Sequence, residues 1–93
     1  MTVQELIDSL HDLQVQLEAR DDDALDGAIL DLSNAIEQLE TSVLATIAAR
    51  LAANEAELDA GIQSLKSDLH ALENITRIID DVTKIAKVVA KLV

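Results

Sequence analysis

The sequence contains no cysteine, no proline and no aromatic residue, and it has only two glycines. Without cysteine there is no disulfide framework, no thiolate nucleophile and no zinc-thiolate site. Without proline, and with glycine only at positions 27 and 61, the chain has almost no residue that interrupts a helix. Its hydrophobic residues are aliphatic, which is typical of helical bundles and coiled coils. We therefore expect long helices.

Positive charge is also scarce, since the net charge at pH 7 is −11. Residues 1–60 hold fourteen acids against two arginines, a net of −12, whereas residues 61–93 hold four acids against five bases, a net of +1. An acidic surface repels phosphate backbones, and the chain has no aromatic side chain to stack on a base. We therefore expect no nucleic-acid binding.

The length of 93 residues predicts one domain, and we take residues 1–93 as a single helical domain. The first ten residues, MTVQELIDSL, lack the basic and continuously apolar parts of a signal peptide. No stretch approaches the roughly 20 apolar residues of a membrane-spanning helix. The cytoplasm is the expected location. Because so short a chain buries only about 60–65% of its unfolded surface, a partner would add useful burial.

The first predicted helix covers about residues 2–19. Its large apolar residues are spaced alternately three and four apart from Val3 to Leu17, which places them on one helical face. Thr2 and Glu5 match the capping box, in which each side chain accepts a hydrogen bond from the other residue's backbone amide.

Two longer helices are predicted after the acidic segment ARDDDALDG. This segment interrupts the apolar pattern and predicts a turn at about residues 20–23, followed by a helix over about 23–53. Asn54 and Glu57 repeat the capping-box spacing, which predicts a third helix over about 55–92. The predicted fold is all-α, an antiparallel bundle of one short and two long helices with coiled-coil-like packing.

A second interpretation of the same region stays open. The segment LAANEAELDAG is rich in alanine and glutamate, which favour helix, so the helix could run through it without a break. The chain would then consist of a short helix and one continuous long helix. Such a rod would be about 100 Å long at about 1.5 Å per residue. Only an oligomeric coiled coil would cover its apolar stripe.

No constellation of residues in the sequence indicates catalysis or metal binding. The acidic segment before Gly27 resembles an EF-hand loop, but Ala24 and Ser33 occupy its third and twelfth positions, where ligands are required. The two histidines, His11 and His70, are not in the Glu-x-x-His pattern of di-metal helical bundles. We therefore predict a protein that is not an enzyme, with no catalytic residue, metal ion or cofactor.

The C-terminal segment DDVTKIAKVVAKLV forms a basic amphipathic pattern at helical spacing. Its apolar residues share one side, and a possible basic face of Lys84, Lys87 and Lys91 lies opposite. The lysines could complement the negative end of the helix dipole, the apolar side could bind another helix, or the segment could lie on an anionic membrane. The acidic body and the missing aromatics make a membrane the least favoured partner.

The main functional hypothesis is a non-enzymatic helical interaction or assembly protein that self-associates, as a dimer or tetramer, through its aliphatic stripes. A further partner would be another helical protein. One alternative is an amphipathic lipid-surface or granule-associated protein anchored by residues 75–93, and another is an adaptor or chaperone for a specific protein partner. The residues predicted at the oligomer or partner interface are Leu32, Ile36, Leu39, Leu58, Leu65, Leu69, Leu72, Ile79, Val82, Ile85, Val89 and Leu92.

Overall fold

The computed structural model describes residues 1–71 and 75–93, and the regular structure in these ranges is entirely helical. The prediction of an all-α helical bundle is therefore confirmed. The α-helices are α1 (Val3–Ala19), α2 (Asp26–Thr41), α3 (Leu44–Ala71) and α4 (Ile75–Leu92), and a single 3₁₀ turn, Asp23–Leu25, precedes α2.

The helices form two antiparallel hairpins. In the first hairpin, α1 and α2, Val3 at the start of α1 and Leu39 near the end of α2 line the same groove. In the second hairpin, α3 and α4, Asp68 near the end of α3 contacts Asp81 near the start of α4. Each helix packs mainly on two others, in the order α1, α2, α4, α3 around the bundle. The two hairpins therefore form opposite faces of the molecule.

Two contacts between α1 and α3 fix how the hairpins dock. The amino group of Met1 lies 2.6 Å from Oε1 of Glu55, and Nη2 of Arg20 donates a hydrogen bond of 2.8 Å to the carbonyl oxygen of Leu69. Because both residue numbers increase together, α1 and α3 are parallel. α2 and α3, which are consecutive in the chain, lie on a diagonal of the bundle, because each packs mainly on α1 and α4.

One continuous core lies between the four helices. It is built from the aliphatic stripe of each helix, and Leu6 of α1, Leu32 of α2, Leu58 of α3 and Ile85 of α4 are at most 1% exposed. A fully buried side chain of this size stabilises the fold by about 1.5–3 kcal/mol relative to an exposed one. This burial is the main force that holds the hairpins together.

The start of α1 confirms the predicted capping box. The amide of Glu5 donates to Oγ1 of Thr2 at 3.0 Å, and the amide of Thr2 donates to Oε1 of Glu5 at 2.9 Å. The predicted turn after α1 is also present, where the carboxylate of Asp22 accepts a hydrogen bond of 2.9 Å from the amide of Ala24. Both features depend on neighbouring residues alone.

The predicted helix break near Asn54 is wrong, because α3 runs through this position from Leu44 to Ala71. Nδ2 of Asn54 donates a hydrogen bond of 2.8 Å back to the carbonyl oxygen of Arg50, four residues earlier, and does not cap a new helix. Leu51 and Leu58, two helical turns apart, are both buried on the same side of α3. The alanines between them continue the helix.

The break between α2 and α3 lies instead at Ser42 and Val43, inside the helix predicted over 23–53. The hydroxyl of Thr41 donates to the carbonyl oxygen of Glu37 at 2.9 Å, and the hydroxyl of Ser42 donates to that of Gln38 at 2.6 Å. Both hydroxyls therefore bond back to the carbonyl four residues earlier, as serine and threonine often do in helices. Val43 follows Leu39 by four residues and so continues the apolar spacing of α2, but it is 70% exposed.

The helix predicted over 55–92 is likewise divided, because α3 ends at Ala71 and α4 begins at Ile75. Residues 72–74 lie outside the described residues. α3 and α4 are antiparallel, so they are not parts of one straight helix. The alternative of one continuous long helix is therefore wrong. Residues 1–71 and 75–93 therefore contain four α-helices where the sequence predicted three.

Candidate functional site

A groove of about 420 Å³ runs between α3 and α4 on the outer face of the second hairpin. Three of the four lysines in the sequence, Lys84, Lys87 and Lys91, line it, and all three are exposed. Their spacing of three and four residues places them on one face of α4. We call this surface the lysine groove. It contains the whole basic face that the sequence predicted.

The floor of the lysine groove is made of small residues from α3. Ala60, Gly61 and Ser64 line it there. A Cβ atom built on Gly61 would lie only 3.0 Å from Cγ1 of Ile85. The absence of a side chain at Gly61 therefore lets α3 and α4 approach closely, and it leaves an open depression between the lysines.

The lysines of the groove differ in their ion pairing. Nζ of Lys91 lies 3.5 Å from Oε2 of Glu57, which spans the groove from α3. Lys84 and Lys87 have no carboxylate within 4.0 Å among residues 1–71 and 75–93. The groove thus presents two ammonium groups without a close carboxylate in the described structure, on a chain whose net charge is −11.

Asp81 lies at the edge of the lysine groove and is 7% exposed, and its Oδ2 atom has no hydrogen-bond partner in the described part of the chain. Burial, a hydrogen bond to Asp68 and the charge of Asp68 raise the pKa of Asp81 to about 6, although the charges of Lys84 and Arg77 act in the opposite direction. Sequence reasoning missed this residue. The sequence signal that could have identified it is its position three residues after Ile78, which lies on the buried stripe of α4.

The opposite face of the molecule carries a groove of similar size and opposite charge. It lies between α1 and α2, measures about 430 Å³, and contains Glu18, Glu37 and Glu40. Nε2 of His11 lies 3.6 Å from Oε1 of Glu40, and this contact is an ion pair only when the histidine is protonated. Val15 also lines this groove and is 62% exposed. We call this surface the acidic groove.

A third, mainly apolar groove lies at one end of the bundle, where α1 begins, α2 ends and α3 begins. It measures about 770 Å³, and Met1, Val3, Leu39 and Leu44 are among its lining residues. Leu44 is 65% exposed. We call this surface the end groove.

Ten of the residues predicted at the interface lie in the core of the chain itself. They are Leu32, Ile36, Leu39, Leu58, Leu65, Leu69, Val82, Ile85, Val89 and Leu92. Ile79 is partly buried against this core, and Leu72 lies outside the described residues. The helices α1 and α2 together cover the stripes of the second hairpin. A folded copy therefore does not present the ten buried residues, and self-association stays a prediction that needs another surface.

The apolar side of residues 75–93 also faces inward, so the basic amphipathic segment presents mainly its lysines. None of the helices in the described ranges has the length and apolar character needed to cross a membrane. Within the same ranges, no group of three or more histidine, aspartate or glutamate side chains is arranged to hold a metal ion. The acidic residue Asp22 is a helix cap at the predicted turn.

The chain matches no protein-family model, no curated protein and no solved structure in three separate comparisons.

Proposed function

We propose that this chain is a non-enzymatic helical interaction protein that binds an acidic protein surface in the lysine groove. The observation that carries the proposal is the pair Lys84 and Lys87, which line the groove with no carboxylate within ion-pair distance in the described residues. A strongly acidic chain gathers most of its lysines at this one place. Such a local concentration of charge selects a partner of opposite sign and guides its approach.

The shape of the groove favours a helix as the bound element. Lysines spaced three and four residues apart on α4 match carboxylates with the same spacing on a second helix. The small floor residues Ala60 and Gly61 leave room for an apolar side chain between the charges. Exposed ion pairs are individually weak and are screened by salt, so the expected complex is modest in affinity and sensitive to ionic strength.

A lipid surface is less well supported than an acidic protein. Lysines attract anionic lipids, but stable attachment also requires an apolar face that enters the bilayer. In this structure Val82, Ile85 and Val89 occupy the core and are at most 1% exposed. Binding to anionic vesicles should therefore be weaker than binding to an acidic helix.

The proposal is tested by adding a synthetic helical peptide with glutamates at i and i+4 to the isotopically labelled protein. We expect amide shifts at Ala60, Gly61 and Lys87 that grow with peptide and vanish at about 1 M salt, where the screening length is about 3 Å. Replacing both unpaired lysines, in the variant Lys84→Gln/Lys87→Gln, should weaken binding on the order of tenfold.

The matched control is Lys66→Gln/Arg77→Gln, which also removes two positive charges, one on α3 and one on α4, at positions that do not line the groove. It should bind the peptide as the wild type does. If the control loses as much peptide affinity as the test variant, or if the peptide causes no amide shifts at low salt, the lysine groove is not the binding surface. Binding to anionic vesicles without binding to the peptide would favour the lipid alternative.

A further inference from the structure

We infer that the acidic surface that fits the lysine groove is the acidic groove of a second copy of this chain, so that copies join head to tail. The inference rests on the proposed function and names the partner of the same site. It differs from the association predicted from the sequence, because it uses exposed charged grooves and leaves the aliphatic core of each copy intact.

The two faces of the molecule differ strongly in charge. Residues 1–41, which include the first hairpin, hold eleven acids against the single base Arg20, a net of −10. Residues 44–93, which include the second hairpin, hold seven acids against six bases, a net of −1. Since the hairpins form opposite faces, each copy carries an acidic face and a nearly neutral face with a basic groove. Two copies in the same orientation therefore bring unlike faces together.

Each groove also has charged side chains that form no ion pair within the same copy. In the lysine groove Lys91 contacts Glu57, and in the acidic groove Glu40 contacts His11. Lys84 and Lys87 remain exposed on one side, beside the buried carboxyl group of Asp81, and Glu18 and Glu37 remain on the other, without an ion pair in the described ranges. Two ammonium groups thus face two carboxylates when the faces meet.

An apolar contact between copies can add to the ion pairs. Val15 lines the acidic groove and is 62% exposed, and the small residues Ala60 and Gly61 line the lysine groove. The small residues leave space for the exposed valine of the next copy. Burying it there adds an apolar contact to the ion pairs.

The symmetry of this contact has a measurable consequence. It joins two different surfaces, so each added copy leaves one groove of each kind free, and the chain of copies grows unless a rotation closes it into a ring. A contact between like surfaces would stop at a dimer. The average mass should therefore rise steadily with protein concentration, and the rise should disappear when salt screens the charges.

The experiment measures mass by sedimentation and light scattering over a wide concentration range, at about 10 mM and about 1 M salt, where the screening lengths are about 30 Å and 3 Å. It compares the wild type with two charge-reversed variants. The first is Lys84→Glu/Lys87→Glu, which makes the lysine groove acidic. The second is Glu18→Lys/Glu37→Lys, which makes the acidic groove basic.

We expect the wild type to associate at low salt and each variant alone to weaken association on the order of tenfold or more. An equal mixture of the two variants should associate again, because each retains one native groove that fits the other. The matched control Asp12→Lys/Asp31→Lys changes the same net charge at exposed positions of the first hairpin outside the acidic groove, and it should associate at least as well as the wild type. Circular dichroism verifies that each variant is folded.

Two results would overturn the inference. One is a wild-type protein that stays monomeric at low salt and high concentration. If that protein still binds the glutamate peptide, the proposed function stands and only the identity of the partner is wrong. The other is a salt-independent dimer that Leu44→Glu dissociates and the charge reversals do not, which would place self-association at the end groove.

Discussion

Gly61 on α3 lies so close to Ile85 on α4 that a Cβ atom at position 61 would be 3.0 Å from Cγ1 of the isoleucine. Ile85 is 1% exposed and its branched side chain is fixed by the packed core around it. This contact sets the distance between the helices of the second hairpin. It also determines the depth of the lysine groove.

Replacing this glycine should therefore destabilise the fold, although alanine favours helix. We expect Gly61→Ala to lower the free energy of unfolding by about 1 kcal/mol, since overpacking of about 1–3 kcal/mol outweighs a helix-propensity gain of about 1 kcal/mol. Gly27→Ala is the control, because a Cβ there meets nothing within 4 Å on α2. It should raise stability by about 0.5 kcal/mol. Urea unfolding measures both, and stabilisation by both changes would contradict the tight contact.

The buried carboxyl group of Asp81 should make stability depend on pH. Its pKa is raised from 3.8 to about 6 in the folded protein, chiefly by burial and by Asp68. The folded state therefore holds this proton more tightly than the unfolded state does. The resulting stabilisation is complete below 3.8, the pKa of Asp81 in the unfolded chain, and it is lost as the pH rises through about 6. At neutral pH the buried charge then costs about 2–3 kcal/mol.

Asp81→Asn tests this dependence because it keeps the size of the side chain and cannot ionise. The variant should be more stable than the wild type above about pH 7 by about 2 kcal/mol, and the advantage should shrink toward about pH 4. Other carboxylates titrate in both proteins, so the difference between their unfolding free energies is the relevant quantity. Asp80→Asn, at the exposed neighbouring position, serves as the control. A pH-independent difference would contradict the raised pKa.

The continuity of α3 through Asn54 is open to a direct test. Proline inside a helix removes a hydrogen bond and clashes with the preceding turn, so Asn54→Pro should cost about 3 kcal/mol or more. Proline is tolerated at the first position of a helix, so Leu44→Pro, at the start of α3, should cost far less. Thermal unfolding compares the two variants. A break at residue 54 would instead make Asn54→Pro the milder change.

The features that were predictable from the sequence are those that neighbouring residues decide. The capping box of Thr2 and Glu5 and the apolar spacing of α1 act within one helix, and both are present in the structure. Asn54 and Glu57 show the same capping pattern but lie inside α3, because the pattern permits a helix start without requiring one. The end of α2 carries no glycine or proline, and the hydroxyl groups of Thr41 and Ser42 bond back to the last turn of the helix. Helix ends of this kind depend on the packing of the whole bundle.

The candidate site was predictable only in part for a similar reason. The spacing of Lys84, Lys87 and Lys91 on one helix places them on a common face, as the structure shows. The floor of the groove comes from α3, about twenty residues away, and only the folded hairpin brings it to α4. Periodicity identifies which side of a helix is buried, but not which element covers it. This is why the stripes predicted for a partner are covered by the chain's own helices.

The short connection between α2 and α3 has a consequence for how the two hairpins pair. Only Ser42 and Val43 separate these helices, which lie on a diagonal of the bundle. If both residues become alanine, α2 and α3 gain the composition to fuse into one helix. Each hairpin would then complete its core with the other hairpin of a second copy, giving an exchanged dimer with an unchanged interior. At about 1 M salt, where the charged grooves are screened, we expect the double-alanine variant to have twice the monomer mass and a stability that depends on concentration, whereas a double-glycine variant should be monomeric under the same conditions.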